Sequence, residues 1–147
     1  MKIIQVTSEH LSLAAPLFNA YRMFYEKESD LKNATKFLRD RIANNESAIF
    51  IALDEKSEAL GLMQLYPGFS SVGMKKIYIL NDLYIDEKSR GQGIGRRLMK
   101  VAQDFAILNS ASKISLQTAK TNKVGQDLYE SEGYVLDDEY LTYVLTL

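Results

Sequence analysis

Leu83-Tyr84-Ile85-Asp86-Glu87-Lys88-Ser89-Arg90-Gly91-Gln92-Gly93-Ile94-Gly95-Arg96-Arg97-Leu98 leads from one regular element to another through a loop with alternating glycines. Upstream, residues 74–85 are rich in Ile, Tyr and Leu and read as one long strand. Downstream, Ile94, Leu98, Val101, Phe105 and Leu108 recur at helical spacing and predict an amphipathic helix over 94–108. Glycine lets the backbone take positive φ and leaves room for a ligand to approach the main chain. The first N–H groups of a helix have no internal partner, and the helix dipole is positive there. A strand, glycine loop and helix in this order make an anion site, most naturally for phosphate. Arg90, Arg96 and Arg97 add positive charge at that end.

Three phosphate-binding patterns compete for this loop. A Walker loop ends in Gly-Lys-Ser/Thr, whereas Gly95 is followed by Arg96-Arg97. A dinucleotide fingerprint needs Gly-x-Gly-x-x-Gly with an acid about 20 residues on, whereas the spacing here is Gly-x-Gly-x-Gly and the later stretch is Ser115-Leu116-Gln117. The third pattern, Arg90-x-x-Gly93-x-Gly95, resembles the acetyl-CoA signature Arg/Gln-x-x-Gly-x-Gly/Ala of the GNAT superfamily of N-acyltransferases.

Working outward, residues 3–6 read as a short strand, and Thr7 or Ser8 can cap a helix running to about Lys27, with Pro16 imposing a kink or a later start. Ser29 or Asp30 can cap a second helix whose face carries Leu31, Ala34, Leu38 and Ile42. Residues 48–53 and 59–66 form a hairpin, which Pro67-Gly68 should end. Beyond the glycine loop and its helix, residues 114–118 read as a strand and 122–132 as a short helix stopped by Gly133. Two final strands are expected at 134–136 and 140–147. The order βααβββαβαββ gives one α/β domain over 1–147 with a mixed sheet.

A second match lies downstream. Asn122-Lys123-Val124-Gly125-Gln126-Asp127-Leu128-Tyr129-Glu130-Ser131-Glu132-Gly133-Tyr134 resembles the superfamily pattern Asn-x-x-Ala/Gly-x-x-Leu-Tyr-x-x-x-Gly-Phe/Tyr. Singly, each residue has a structural explanation: Asn122 as a helix cap, Leu128 as core, Gly133 as a helix stop. Their joint order after a strand strengthens the resemblance. Gln64-Leu65-Tyr66-Pro67, Phe69-Ser70-Ser71 and Leu80-Asn81-Asp82-Leu83 also look like a bacterial, histone-acetyltransferase-like branch of that superfamily.

The resemblance implies direct transfer of an acetyl group from acetyl-CoA to an amine. The amine must lose its proton, since a lysine-type ammonium has a pKa of about 10.4 in water. The developing oxyanion needs a hydrogen-bond donor, and the departing thiolate benefits from an acid. By that resemblance the main chain of Leu83, Tyr84 and Ile85 lines the pantetheine arm. Gly91, Gln92, Gly93, Ile94, Gly95 and Arg96 hold the pyrophosphate with Arg90 beside them. Asn122 touches the pantetheine or caps its own helix, and Tyr129 protonates the sulfur. Asp82 stands where many relatives carry a glutamate, so it is the candidate base; it could instead only bind the acceptor cation or cap a bulge. Alternation along a strand would turn its neighbour Asn81 to the opposite face. Tyr21, Tyr25, Glu28, Tyr66, Phe69 and Ser70 are candidates for the acceptor pocket, because aromatic faces with carboxylates suit a cation.

Composition narrows the alternatives. The chain has 147 residues, 46% of them apolar and 25% charged, as expected of a soluble globular domain. It contains no cysteine and a single histidine, His10, so no disulfide, thiolate metal site or cysteine nucleophile is expected, and no metal is required. A net charge of −1 offers no basic field for nucleic acid. The apolar runs are too short to span a membrane, and no signal peptide is recognisable, so a cytoplasmic location is expected. The segment 140–147 is apolar at nearly every position, as in a strand buried on both faces, and suggests a homodimer that pairs or exchanges it. Two other functions stay open at this level: an acyl-CoA-binding sensor that does not turn over, and a nucleotide-binding protein using the same loop.

Overall fold

One strand without an exposed position organises the sheet. The computed structural model describes residues 1–147, and residues 48–53, Ala-Ile-Phe-Ile-Ala-Leu, are buried throughout. In chain order the elements are β1 (Lys2–Gln5), α1 (Leu11–Phe24), α2 (Leu31–Ala43), β2 (Ala48–Leu53), β3 (Ala59–Ser70), β4 (Lys75–Ile85), α3 (Ile94–Leu108), β5 (Ile114–Ser115) and α4 (Lys123–Ser131). The sheet order is β1-β2-β3-β4-β5. Neighbours run antiparallel except β4 and β5, which are parallel. Parallel neighbours need a crossover, and α3 supplies it. The mixed sheet with helices is the α/β class expected from the sequence. No helix is long and apolar enough to cross a membrane.

The chain divides into two compact units, Met1–Gln117 and Thr118–Leu147. In the first, β2 sorts its side chains by alternation. Ile49, Ile51 and Leu53 pack with Ala14, Ala15 and Phe18 of α1 and with Ala34 and Leu38 of α2. Phe50 faces the other way, its ring 5.3 Å from Phe105 of α3, which also meets Tyr78 of β4 at 5.4 Å. Helices therefore cover both faces of β2, which accounts for its unbroken apolar run. Asp30 caps α2 as expected: the main-chain N–H of Asn33 donates to its Oδ1 at 3.1 Å. A 3-10 turn at Ser8–His10 precedes α1, so the helix starts at Leu11, later than the Thr7–Ser8 cap signal, and Pro16 lies inside it.

Two departures from the sequence reading fall in this unit. β3 does not end at Pro67-Gly68 but runs on to Ser70. The reason is positional: β2 runs out where Ala48 pairs with Leu65, so from Tyr66 onward β3 pairs only with β4. An edge strand tolerates proline. β5 is also shorter than expected, pairing with β4 only through Tyr78–Ile114 and Ile79–Ser115. β4 itself continues to Ile85, so its second half has β3 on one side and no β5 on the other.

In the second unit, α4 forms where expected. The terminal strands expected at 134–136 and 140–147 do not: those residues carry no helix or strand. Tyr140, Leu141, Tyr143, Val144 and Leu145 are all at least four-fifths exposed. Apolar content records a capacity for burial, whereas a strand also needs a second strand to take its N–H and C=O groups. None lies within Thr118–Leu147.

Candidate active site

In the first unit, α1 and its C-cap residue Tyr25 place Phe18, Tyr21, Arg22 and Tyr25 on one face through the spacing i, i+3, i+4, i+7. That face lines a cavity of about 480 Å³, a volume typical of small-molecule sites. Asn33, Ala34 and Phe37 of α2 contribute a second wall, Tyr66 of β3 and Asn81 with Asp82 of β4 a third, and Lys27 joins them from the turn after α1. Phe18 stacks on Phe37 at 5.5 Å between ring centres, and Tyr21 meets Tyr25 edge-on at 5.1 Å. Five of the eleven lining residues are thus aromatic, Arg22 and Lys27 are cations, and Asp82 is the single carboxylate.

A β-bulge delivers that carboxylate. Gln64 pairs with Asp82 and Leu65 with Leu80, which leaves Asn81 as the extra residue of β4. Simple alternation would send Asn81 away from Asp82; the bulge brings both to the cavity, and this corrects the expectation from strand periodicity. The Tyr21 hydroxyl donates to the main-chain oxygen of Asn81 at 3.1 Å. Asn81 Nδ2 donates to Asp82 Oδ1 at 3.0 Å. Gln64 Nε2 donates to Asp82 Oδ2, and Ser47 Oγ donates to Gln64 Oε1 at 2.8 Å. Asp82 is 3% exposed and Gln64 0%. Burial raises the Asp82 carboxyl above the usual carboxylate range, and the hydrogen bonds from Gln64 and Asn81, with the nearby Tyr21 hydroxyl, oppose that rise. Tyr21 is pushed well up by burial and then by the Asp82 charge. Tyr66 is pushed up to about 12 by burial, with Asp82 adding to it. Both phenols therefore stay protonated at neutral pH. The arrangement is an open cavity with several aromatic walls and one buried acceptor of protons, whose faces and carboxylate suit a cationic nitrogen.

At the far end of β4 the glycine loop has the expected conformation. Gly91 and Gly93 have φ of 76° and 74°, and Gly93 is the residue before α3. A side-chain carbon at either glycine would meet nothing within 4 Å. The glycines answer a backbone demand and leave the main chain open to a ligand. Arg90 is held in place: its Nε donates to the Ile85 carbonyl at 3.1 Å, and its guanidinium lies 5.9 Å from the Phe24 ring centre and 5.7 Å from that of Tyr84.

In the second unit, Asn122 caps α4. The N–H of Gly125 donates to Asn122 Oδ1 at 3.1 Å, and Asn122 Nδ2 donates to Thr118 Oγ1 at 3.0 Å. A side-chain carbon at Gly125 would meet the Asn122 amide, which explains a small residue there. Tyr129 lies on α4 with its ring centre 6.3 Å from that of Tyr134. Gly133, with φ of 87°, ends the helix, and the N–H of Tyr134 donates to the Tyr129 carbonyl at 3.0 Å.

A family model described as the acetyltransferase (GNAT) family matches residues 14–134. The chain belongs to that family. It is 46% identical over 147 residues to an uncharacterised N-acetyltransferase, YhfO, of Bacillus subtilis (strain 168), covering 100% of this chain and 98% of the relative. It is 29% identical over 147 residues to a probable acetyltransferase of Haemophilus influenzae, covering 100% and 99%. Among solved structures, the crystal structure of a probable acetyltransferase is similar at 42% identity and a TM-score of 0.94, covering 100% of this chain and 98% of that one. This GNAT chain is an acetyl-CoA-dependent N-acetyltransferase. The open, positive-φ glycines at the start of α3 fit the coenzyme's phosphates.

Of the acceptor residues named from sequence, Tyr21, Tyr25 and Tyr66 line the cavity with Asp82. Glu28, Phe69 and Ser70 stand outside its lining. The Glu28 carbonyl accepts from Arg22 Nη1 at 3.4 Å, Phe69 is 78% exposed, and Ser70 Oγ accepts from the N–H of Gly73 at 3.1 Å. Sequence reasoning missed Phe18, Arg22, Lys27, Phe37 and the Ser47–Gln64 support of Asp82. The helical spacing of Phe18, Tyr21, Arg22 and Tyr25 was the available signal for the first two.

Proposed function

We propose that the cavity between α1, α2 and the β4 bulge receives the amine, and that Asp82 accepts its proton. The observation that carries this reading is a carboxylate 3% exposed in a cavity walled by five aromatic residues. A primary ammonium entering there meets the ring faces of tyrosines and then the Asp82 oxygens. Burial raises the proton affinity of that carboxylate, which makes it a better base than a surface aspartate. The free amine then attacks the thioester carbonyl directly. We assign the pantetheine arm to the main chain of Leu83, Tyr84 and Ile85, where β5 no longer pairs with β4. The phosphates are assigned to the main chain of Gly91–Arg96, with Arg90 held beside it. Tyr129 is the proposed acid for the thiolate, a role that rests on the downstream motif alone. The cap formed by Asn122 supports its structural role over a direct one.

The exposed apolar segment 140–147 supports a second element of this reading, a homodimer that pairs or exchanges that segment. A monomeric mass in solution would sink it. The short apolar runs support a cytoplasmic setting.

Titrating the protein calorimetrically with acetyl-CoA, with ATP and NAD as controls, tests the coenzyme half. Selective acetyl-CoA binding is expected. Release of CoA thiol with amines tests the acceptor half, and Asp82→Asn should lower turnover while acetyl-CoA still binds. Equal loss of both, or loss of neither, would remove Asp82 from the acceptor site.

A further inference from the structure

The cavity's charges are arranged in two places. Asp82 is buried, and the cations among the lining residues are Arg22 and Lys27. Arg22 is half-buried and Lys27 exposed, so both stand nearer solvent than the carboxylate. They belong to one local structure at the end of α1: the Lys27 N–H donates to the Arg22 carbonyl at 3.1 Å, across Glu26 in the left-handed conformation with φ of 61°. The nearby acid Asp30 does not line the cavity; its oxygens accept from the main chain and side chain of Asn33, which hold its carboxyl low with a smaller contribution from the Arg22 charge. Arg22 donates through Nη1 to the Glu28 carbonyl at 3.4 Å, and a guanidinium has further N–H donors to offer.

A site meant for a bare amine, or for a polycation, would not carry two cations at its opening. Like charges there repel a second ammonium, and repulsion is as much a part of specificity as attraction. We propose that the acceptor is a small zwitterion: a primary amine that also carries a carboxylate, with an apolar or aromatic body between or beside them. This rests on the cavity being the amine site. The ammonium goes to Asp82, the carboxylate to Arg22 and Lys27, and the body lies along Phe18, Tyr21 and Phe37. Arginine suits the anionic end because its planar fork can hold a carboxylate by two hydrogen bonds. The volume of about 480 Å³ suits an amine of amino-acid size or somewhat larger.

Matched pairs of amines test this, with CoA thiol release as the readout: phenylalanine against phenethylamine, ε-aminocaproate against hexylamine, lysine against cadaverine, and spermidine as a polycation. The carboxylated member of at least one pair is expected to show kcat/KM about 10-fold or more above its partner lacking the carboxylate, the size of effect one charge-assisted contact can give. Arg22→Gln combined with Lys27→Gln should bring that ratio to about one. The ratio is internal to each protein, so partial misfolding does not imitate the result, and the exposed Lys27→Gln alone should narrow it. Preference for the amines lacking a carboxylate or for spermidine, or a ratio that survives both substitutions, overturns the zwitterion while leaving the cavity as the amine site. If no amine of any kind turns over although acetyl-CoA binds, the zwitterion falls together with the assignment of this cavity to small amines.

Discussion

Gln64 Nε2 donates to Asp82 Oδ2 from the neighbouring strand, and both side chains lie within the sheet away from solvent. The orientation of the amide is fixed in turn by Ser47, whose hydroxyl donates to Gln64 Oε1 at 2.8 Å. A buried carboxylate with one side held this way is both oriented and tuned, because each donor offsets part of the cost of desolvating the charge.

Gln64→Met keeps the length of the side chain and removes the donor. Asp82 is then left short of a donor in a buried place, which costs about 1–3 kcal/mol, while the half-buried Ser47 hydroxyl loses its acceptor. Urea unfolding should show that loss. The substitution also removes an interaction that lowers the Asp82 pKa, so the acid limb of the kcat/KM profile should move to higher pH. A stability loss with an unmoved limb would mean that Asp82 does not govern the rate.

Asp82→Asn separates stability from activity. The folded carboxyl has a pKa above that of the unfolded chain, about 3.9. The folded state thus binds the proton more readily, and wild-type stability falls as pH rises from the unfolded value through the folded one. Asparagine does not titrate. The variant should therefore melt higher than wild type near neutral pH, and the gap should shrink as pH approaches the unfolded value. Gln64 and Ser47 can reverse their donor and acceptor roles to accommodate the amide. Turnover should drop on the order of 10²–10⁴-fold if Asp82 is the base.

Gly93→Ala probes the coenzyme loop. Its φ of 74° lies in the left-handed region, while an added carbon meets nothing within 4 Å. The cost is conformational, about 1–2 kcal/mol, and free of steric clash. Any relaxation of the loop turns the first N–H groups of α3, so KM for acetyl-CoA should rise more than kcat falls. An unchanged KM beside the expected stability loss would mean that this turn serves only the fold.

These residues differ in how far the sequence disclosed them. The glycine loop was legible because its information is local: two positive-φ positions, a strand before and a helix after, all within one short stretch. The Asp30 and Asn122 caps were legible for the same reason. Asn81 was misread because a bulge depends on how β3 and β4 register against each other, and nothing in the residues 80–83 alone announces it. Phe37 was missed because the cavity gathers side chains from separate segments, whereas Arg22 shares the helical face of Tyr21 and Tyr25 and was within reach of the local spacing. The terminal strands at 134–136 and 140–147 failed for another reason: hydrophobicity specifies burial, whereas strand formation also needs a partner.

Tyr129→Phe addresses the downstream motif. The substitution keeps the ring that faces Tyr134 across 6.3 Å and removes only the hydroxyl. The neighbouring phenol is a poor substitute donor, since burial and then the Glu132 charge push Tyr134 up to about 12. If Tyr129 hands a proton to the departing thiolate, kcat should fall on the order of 10²-fold or more. The acetyl-CoA dissociation constant should stay within a few-fold. The loss should be smaller for a thioester whose thiol is more acidic, because such a leaving group needs less help. An equal loss for both thioesters, or a loss of coenzyme affinity that accounts for the whole effect, would assign Tyr129 to binding and leave the thiolate to depart without a protein acid.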